Sequence, residues 1–285
     1  DEAQDLSLIQ WSMIKKIEED TKCDVWIAGD DDQAIFGWAG ADVDSFINWQ
    51  AKEIPLKKSE RGPSSIQNIA LDIINRIRDN RLDKEYFPKA ETGEIFERYK
   101  LSDIDMSKDD WLILARTKSL IKPIPVFLKK KGLFFNTAQG NSVGKNLYED
   151  IQYWAKLKQK IELPDIHTQR IKERITGDID TSLEWYQAFD KLSDSQIIYM
   201  KLLLLNNEDP TKEARIKIST IHGAKGGEAT NVILFLNETT NTIKGAKKSI
   251  QKQDEEYRVW YVGVTRTMQN LYLIKCQNKS KEFKI

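Results

Sequence analysis

Two adjacent carboxylates open the sequence, in the run Asp1-Glu2-Ala3-Gln4-Asp5. One carboxylate of such a pair can hold Mg2+, directly or through water, while the metal bridges the terminal phosphates of a nucleotide. The second carboxylate can orient and deprotonate the attacking water. Adjacent Asp1 and Glu2 suit these two roles. The alternative is that acids merely occupy a helix N-terminus, which the helix dipole favours in any case.

A polar, glycine-rich segment at residues 29–42 follows the short apolar run at residues 25–28. Ligand chemistry in α/β proteins lies at the carboxyl ends of strands, so Gln33 could contact a terminal phosphate or the water. Phe36 and Trp38 lie among glycines with few apolar neighbours, which suits stacking on bases at about 1–3 kcal/mol per base. The alternative is that both rings are buried in a core.

The composition argues against several classes of protein. Of the 285 residues, 40% are apolar and 31% are charged, as in soluble globular proteins. No run of eighteen apolar residues occurs, so we expect no membrane span and a cytoplasmic protein. Cys23 and Cys276 lack metal-ligand spacing and are expected to be free thiols. The 44 basic and 44 acidic residues cancel, so nucleic-acid affinity would need local patches. Two lysine-rich stretches are candidates, although each alone is more typical of a solvated surface: residues 129–131 and 244–252.

Apolar runs alternate between strands and helices after residue 58. Strands are predicted at residues 95–101, 111–115, 133–135, 216–219, 232–236 and 271–274. Helical spacing predicts helices at residues 63–77, 123–131, 147–157 and 254–264. This alternation predicts an α/β fold with a parallel sheet flanked by helices on both faces. The charged residues between 160 and 212 are predicted to be mostly helical.

Less regular structure is predicted before residue 58. Apolar residues from Leu6 to Ile17 recur at helical spacing, with Asp5 placed to cap the helix. Residues 25–28 predict one buried strand, and a short helix is expected around residues 43–47. One convincing strand is too little for an independent sheet.

Five segments, taken in order, resemble the motifs of UvrD/Rep/PcrA-type superfamily 1 DNA helicases. Residues 1–5 resemble motif II, and residues 29–42 resemble motif III. The family's motif IV usually has N-Y-R-S, its motif V has T-x-H-x-A-K-G-L-E, and its motif VI has E-E-x-R-x-x-Y-V-G-x-T-R-A. These patterns are similar to residues 59–62, 218–228 and 255–266.

The resemblance implies a RecA-like fold of the P-loop NTPase type, with ATP and Mg2+ as cofactors. Arg61 and Arg266 would be arginine fingers from the second lobe, a role worth on the order of 10³–10⁵ in rate. The other nucleotide-side roles implied are Asp1 at magnesium, Glu2 as the base, Gln33 at the terminal phosphate and Glu228 at the ribose.

The resemblance also implies single-stranded DNA and single-strand/duplex junctions as partners, with movement 3′ to 5′. Repair or replication proteins could be further partners. The residues implied to line the DNA track are Phe36, Trp38, Thr220, His222 and Lys225.

The sequence departs from the family pattern at several positions. Ala39 stands where the family usually has Arg, which would remove a DNA contact. Gly227 replaces Leu before Glu228, and Thr267 replaces Ala after Arg266. Ser59 and Glu60 replace Asn-Tyr, so adenine recognition through that Tyr is in doubt.

The sequence contains no copy of the phosphate-binding pattern G-x-x-x-x-G-K-[ST]. We therefore expect the C-terminal portion of a motor that is inactive by itself. The predicted domains are a remnant of a first RecA-like lobe at residues 1–57, a second lobe at 58–159 with 213–285, and a reduced helical insertion at 160–212. Two alternatives remain open, a helicase-like subunit of a helicase–nuclease complex and a non-catalytic DNA- or protein-binding module.

Overall fold

The computed structural model describes residues 1–285, apart from the side chain of Glu60. The chain divides into two compact units, one of residues 1–121 with 219–285 and the other of residues 122–218. The architecture is mixed α/β, with a mostly parallel sheet flanked by helices. The fold class predicted from the sequence is confirmed.

The first unit begins with a 3-10 helix at Ala3–Asp5, followed by helix α1 at Leu8–Thr21. Ser7 caps α1, because its hydroxyl accepts from the Gln10 amide while the Gln10 side chain accepts from the Ser7 amide. The prediction that Asp5 caps this helix was wrong, since Asp5 lies within the preceding 3-10 turn. Helix α2 at Val43–Ile47 is confirmed, with Asp42 as its cap.

The apolar stripe of α1 is mostly exposed. Trp11 is the buried residue of this helix, whereas Leu8, Ile9, Met13 and Ile17 are open to solvent. The strand predicted at residues 25–28 was wrong: none of the described strands pairs with it. The apolar run is held instead by a backbone contact, in which the Ala28 carbonyl accepts from the Ala3 amide at 2.9 Å.

A parallel sheet forms the centre of the first unit. Its neighbouring strands, in spatial order, are β3 at Glu94–Arg98, β9 at Thr267–Ile274, β8 at Ala229–Phe235 and β4 at Trp111–Ala115. Ile95, Leu271, Val232 and Leu112 lie in register across all four strands. A separate two-stranded parallel sheet pairs β1 at Lys58–Pro63 with β2 at Phe87–Lys89.

Helices cover this central sheet. They are α3 at Ser64–Ile74, α4 at Lys118–Ile121, α10 at Thr240–Ala246 and α11 at Ile250–Val264. Pro63 occupies the cap position of α3, as the predicted start implied. Ile73 on α3 and Trp260 on α11 are fully buried in the shared core, where Trp260 stacks on Phe283 at 4.4 Å. Because only Thr265 and Arg266 separate α11 from β9, Arg266 is fixed at the amino end of this inner strand.

The second unit has its own apolar core, built mainly from helices. They are α5 at Ile124–Lys130, α6 at Lys145–Lys158, α7 at Asp165–Lys172, α8 at Trp185–Ala188 and α9 at Asp194–Leu205. Strand β5 at Phe135–Thr137 pairs with β6 at Gly140–Asn141 and with β7 at Ile216–Thr220. Trp154 packs edge-on against Phe189 in this core.

Two general expectations can be compared directly with the described residues. Cys23 and Cys276 are both free thiols, as predicted. None of the described helices is both long and apolar enough to cross a membrane.

Candidate functional site

The acidic segment at the start of the chain is fixed by a buried glutamine. Gln4 accepts from the Asp30 amide at 3.0 Å and donates to the Glu2 carboxylate at 2.5 Å. Its neighbour Gly29 leaves no room for a side chain, because a Cβ there would lie 2.5 Å from the Gln4 oxygen. Asp1 accepts from the Glu2 amide at 2.9 Å. Asp1, the predicted magnesium ligand, is therefore adjacent to Glu2, the predicted base, and Gln4 holds Glu2 against the glycine-rich segment.

Gln33 and Arg266 are brought together from opposite ends of the sequence. Gln33 lies in a 3-10 turn at Asp31–Gln33, and Arg266 lies between α11 and β9. Arg266 is only 1% exposed. Its guanidinium donates to the Gln33 side-chain oxygen at 3.2 Å and to the Val262 carbonyl at 3.0 Å. The helix carbonyl orients the guanidinium, and Gln33 lies at its outer end.

Arg61 and Glu228 form a second pair at the same site. Arg61 is on β1, and its guanidinium donates to the Glu228 carboxylate. The Arg61 backbone amide donates to the Ser59 hydroxyl at 3.3 Å. Glu228, Arg61 and Glu2 all act electrostatically on Arg266. We call this set the nucleotide-side cluster, and its members are Glu2, Gln33, Arg61, Glu228 and Arg266.

The electrostatics of the nucleotide-side cluster favour an incoming anion. Burial, followed by the nearby positive charge of Arg61, lowers the pKa of Arg266 to about 10. Two cations that destabilise one another gain from an anion placed between them. Burial alone would raise the pKa of Glu2, but hydrogen bonding to Lys225 and the positive charge of Lys225 outweigh burial and lower it. Glu2 is therefore ionised near neutral pH.

The donor set fits a magnesium ion that is held largely by substrate oxygens. The described residues contain no group of three or more His, Cys, Asp or Glu side chains arranged around a metal position. Mg2+ in nucleotide sites needs only one or two carboxylates, with phosphate oxygens and water completing its octahedron. Asp1 is exposed beside Glu2 and could supply that carboxylate.

Three aromatic rings form a face next to this cluster. Phe36 and Trp38 lie 6.3 Å apart, and the His222 ring lies 6.1 Å from Phe36 and 6.3 Å from Trp38. Trp38 is 69% exposed, so the alternative of a buried core ring does not describe it. Phe36 is partly buried. We call these three residues the aromatic face; their contacts with one another are tilted or edge-on, and Trp38 is the exposed ring of the three.

Thr220 supports the loop that carries His222. Its hydroxyl accepts from the Gly223 amide at 3.1 Å, at the start of the 3-10 turn His222–Ala224. Burial lowers the pKa of His222 to about 4, and the positive charge of Arg116 contributes to that shift. The imidazole is thus neutral near pH 7 and presents a ring rather than a cation.

Lys225 lies between the nucleotide-side cluster and the aromatic face. Its side chain is only 7% exposed, and its ammonium pairs with Asp5 and, at 3.1 Å, with Glu2. The same ammonium lies 5.4 Å from the centre of the Phe36 ring. Lys225 was predicted to line a DNA track; in this structure its charge is paired with two carboxylates.

Sequence reasoning missed a charged network behind Gln33. Lys84 pairs with Asp30 and Asp31, both at 2.5 Å, and with Asp32 at 3.2 Å. Arg81 also holds Asp32, at 2.7 Å. These cations lie between α3 and β2 in a segment without apolar periodicity. The one available signal was the triple aspartate, which requires compensating cations if it is buried.

Arg258 on α11 also went unassigned. It is buried, and it donates to the Asp31 carbonyl at 2.8 Å and to the Asn80 carbonyl at 2.5 Å. Its place in the motif VI resemblance was the signal for it. Arg258 ties α11 to the same turn that carries Gln33.

The departures from the family pattern have different structural settings. Ala39 is exposed at the end of a 3-10 turn beside Trp38. The Gly227 carbonyl accepts from Arg266 at 3.4 Å. Thr267 is fully buried, and its hydroxyl has no partner among the described residues. The side chain of Glu60 lies outside the described residues.

His167, left without a role by the sequence, stacks on Tyr153 at 4.0 Å in the second unit. It belongs to the packing of α7 on α6 and to neither set of predicted site residues.

Comparisons with known proteins identify the class. The model of the UvrD/REP helicase N-terminal domain matches residues 1–53, and the model of the UvrD-like helicase C-terminal domain matches residues 142–278. The chain belongs to the UvrD/Rep/PcrA-type helicases. UvrD-like helicases use ATP, usually with Mg2+.

Individual relatives agree with that assignment. DNA helicase II of Haemophilus influenzae is 33% identical over 123 residues, covering 39% of this chain and 17% of the relative. DNA helicase II of Escherichia coli is 36% identical over 104 residues, or 35% of this chain and 14% of the relative. The ATP-dependent DNA helicase PcrA of Staphylococcus epidermidis is 33% identical over 105 residues, with the same two coverages, 35% and 14%. The matched part spans less than a fifth of each relative.

Proposed function

We propose that the full-length protein containing this chain is an ATP-dependent DNA helicase or translocase that moves 3′ to 5′ on single-stranded DNA. The observation that carries this proposal is the contact of buried Arg266 with Gln33, beside the Arg61–Glu228 pair. Burying a cation is costly unless an anion or a fixed hydrogen-bond network compensates it. A site that holds two guanidiniums beside paired carboxylates suits a triphosphate.

Each residue of the nucleotide-side cluster has a distinct proposed part. Glu2 takes a proton from the attacking water, and Gln33 orients that water against the terminal phosphate. Arg61 and Arg266 neutralise charge that develops on the transferred phosphoryl group. Glu228 positions Arg61 and contacts the ribose. Magnesium, held by Asp1 together with phosphate oxygens, would supply further charge neutralisation.

The aromatic face is proposed to bind single-stranded DNA. Trp38 presents an accessible ring, and Phe36 and neutral His222 lie within reach of the same base. Stacking on such rings tolerates any base, as a translocase requires. Thr220 shapes the loop of His222, and Lys225 links Phe36 to Glu2.

The proposed organisation assigns residues 1–57 to a first RecA-like lobe, residues 58–159 and 213–285 to a second lobe, and residues 160–212 to a reduced insertion. The 285-residue chain, lacking a G-x-x-x-x-G-K-[ST] segment, is proposed not to turn over ATP by itself, because that segment positions the triphosphate. DNA-stimulated phosphate release by this purified chain would overturn this part of the proposal, provided that Arg266→Ala abolishes it. Activity that survives Arg266→Ala would come from a contaminant.

The two other functions differ in what they require of the cluster. A helicase-like subunit of a helicase–nuclease complex would keep the same ATP chemistry, with a nuclease elsewhere. A non-catalytic binding module would have no physical need for Gln33, Arg61, Glu228 and Arg266 to converge. Convergence of these four side chains favours the motor.

Arg266→Ala in the full-length protein is the decisive test. We expect DNA-stimulated ATP hydrolysis to fall by at least about 10³-fold, as when an arginine finger is removed. Arg98→Ala is the matched control, because Arg98 lies on β3 away from the cluster and donates to the neighbouring Glu97 carbonyl. Steady-state phosphate release and equilibrium DNA binding would be measured for both variants.

A motor loses hydrolysis in the Arg266 variant while DNA binding is largely kept, and the Arg98 control behaves as wild type. If the unsubstituted full-length protein binds DNA but hydrolyses no ATP, the proposed motor function is wrong and the non-catalytic binding module replaces it. Equal loss in the Arg98 control would mean that the arginines act through folding.

A further inference from the structure

The segment between α3 and β2 delivers one cation to the triple aspartate next to Gln33. The Lys84 side chain is 19% exposed, and its ammonium contacts the carboxylates of Asp30, Asp31 and Asp32. Asp32 has a second cation in Arg81, and Asp31 accepts from the Leu82 amide at 3.0 Å. The ion pair of Asp30, among the described side chains, is with Lys84. Asp30 also accepts from the Asp32 amide at 3.1 Å, but without Lys84 neither Asp30 nor Asp31 would have an ion-pair partner among the described side chains.

Asp30 in turn determines how the Gln33 amide is oriented. The Gln33 nitrogen donates to the Asp30 carboxylate at 2.8 Å, and the Gln33 oxygen accepts from Arg266 at 3.2 Å. A carboxylate can only accept and a guanidinium can only donate, so these partners permit one orientation of the amide. Reversing the amide would place its oxygen against the carboxylate and its nitrogen against the guanidinium.

A continuous chain of contacts thus runs from Lys84 through Asp30 and Gln33 to Arg266. Charge-assisted hydrogen bonds of this kind are shorter and stronger than neutral ones. The positive charge of Lys84 also helps to lower the pKa of Asp30 against the opposing effect of burial, which keeps that carboxylate ionised. An ionised Asp30 is the form that accepts from Gln33.

We propose that Lys84 is a positioning residue for phosphoryl transfer, acting through Asp30 to hold the Gln33 amide in the orientation that engages Arg266. This inference rests on the proposed ATPase function of the same cluster, and it assigns a role to a residue outside every motif that the sequence revealed. In this role Lys84 acts through Asp30, its contact at 2.5 Å, and not on the reacting atoms themselves.

The first test is kinetic and uses the full-length protein. Lys84→Met keeps the aliphatic stem and removes the charge; Lys84→Arg keeps the charge. Misplacing a catalytic group by about 1 Å can cost about 10²-fold in rate. We expect Lys84→Met to lower kcat for DNA-stimulated hydrolysis by about 10- to 100-fold, with KM for ATP changed less than about threefold. Lys84→Arg should restore most of kcat.

The matched control is Lys57→Met. Lys57 pairs with Glu85, next to Lys84 in the sequence, at 2.6 Å on the surface. Loss of this exposed pair should leave kcat unchanged. Arg266→Ala is measured in parallel. If it leaves hydrolysis unaltered, the proposed function fails; if it abolishes hydrolysis while Lys84→Met retains kcat within twofold, only the positioning role of Lys84 fails.

The second test uses the 285-residue chain and needs no enzymatic activity. The side-chain amide signal of Gln33 is assigned in a nitrogen–proton NMR spectrum by its disappearance in Gln33→Ala. Lys84→Met should shift this signal and speed its proton exchange, whereas Lys84→Arg and Lys57→Met should leave it in place. An unmoved Gln33 signal in Lys84→Met would overturn the inference. Should Lys84→Met fail to fold, Lys84→Gln replaces it; unfolding of both neutral variants would assign Lys84 to stability alone and likewise overturn it.

Discussion

The nucleotide-side cluster and the aromatic face lie next to one another and are built on opposite physical principles. Arg266 has fixed hydrogen-bond partners on several sides and is almost fully buried. Trp38 touches its aromatic neighbours only at their edges and is largely open to solvent. A group that stabilises a transition state must be held before the reaction begins. A ring that stacks on any passing base must instead stay accessible.

Lys225 contacts both the nucleotide-side cluster and the aromatic face. Its ammonium pairs with the carboxylates of Asp5 and Glu2 while lying over the Phe36 ring. A base seated against Phe36 would therefore lie close to the counter-ion of the proposed catalytic base. If the aromatic face binds DNA as proposed, this single side chain would link the bound base to the nucleotide-side cluster.

The largest effect expected from the nucleotide-side cluster is the loss of hydrolysis in Arg266→Ala. On the aromatic face, Trp38→Ala should have the largest effect on DNA. Losing one stacking ring should weaken binding of a labelled oligothymidine by about 5- to 150-fold, from 1–3 kcal/mol per base. Fluorescence anisotropy with the 285-residue chain measures this change.

Trp26→Ala is the matched control for Trp38→Ala. Trp26 is 83% exposed but has no aromatic contact among the described residues. It should therefore leave DNA affinity unchanged. Equal weakening by both variants would mean that any exposed indole contributes to DNA binding. The aromatic face would then not be a specific binding surface.

Lys225→Met tests the boundary between the regions. Breaking a buried ion pair costs about 3–5 kcal/mol, but Glu2 is 55% exposed, so we expect only about 1–2 kcal/mol of destabilisation after solvent screening. Adding Asp5→Asn should recover part of that loss. Denaturant unfolding of the single and double variants measures both effects, with the surface pair Lys16–Asp20 as control through Lys16→Met.

The same variant tests whether Lys225, which the resemblance places along the DNA track, contacts a DNA phosphate. A phosphate contact would lower the salt dependence of DNA binding by about one charge when the lysine is removed. Since its ammonium already has two carboxylate partners, we expect the salt slope to stay unchanged. A slope reduced by one would show that DNA displaces Asp5 or Glu2 from Lys225.

Much of the fold followed from local sequence pattern. The runs at β4 and β8 and the apolar face of α3 specify their elements by themselves, because apolar content and period agree. The segment at residues 25–28 had an equally apolar run and forms no strand. Strand formation needs a partner, and pairing is a property of the whole fold that a local run cannot report.

The residues of the candidate site that lie in motifs could be predicted from the sequence, whereas a residue outside the motifs could not. Gln33, Arg61 and Arg266 could be named because they lie in short segments whose residue types match a motif. Lys84 could not, because its role depends only on where the loop after α3 returns to the triple aspartate. Contacts between distant segments such as these arise from tertiary packing and leave no periodic signal.

The smallest expected effect concerns the charge of His222. Its pKa is lowered from 6.5 to about 4 by burial and by Arg116. In the unfolded chain this ring takes up a proton near pH 6.5, whereas in the folded chain it does so only near pH 4. The unfolded state therefore binds more protons between these values, and His222 reduces stability progressively as pH falls through that window. The unfolding temperature should therefore fall less between pH 7 and pH 5 in His222→Gln than in the unsubstituted chain.

A neutral His222 also makes a prediction for the aromatic face. At constant ionic strength, affinity for oligothymidine should not rise as pH falls from about 7.5 to 5.5, because the ring gains no charge to attract phosphate in that range. Proton NMR of the ring, assigned with His222→Gln, gives the titration directly. A midpoint near 6.5 together with tighter binding at low pH would make His222 a cationic phosphate contact, and the aromatic face would then resemble its charged neighbour more than its structure indicates.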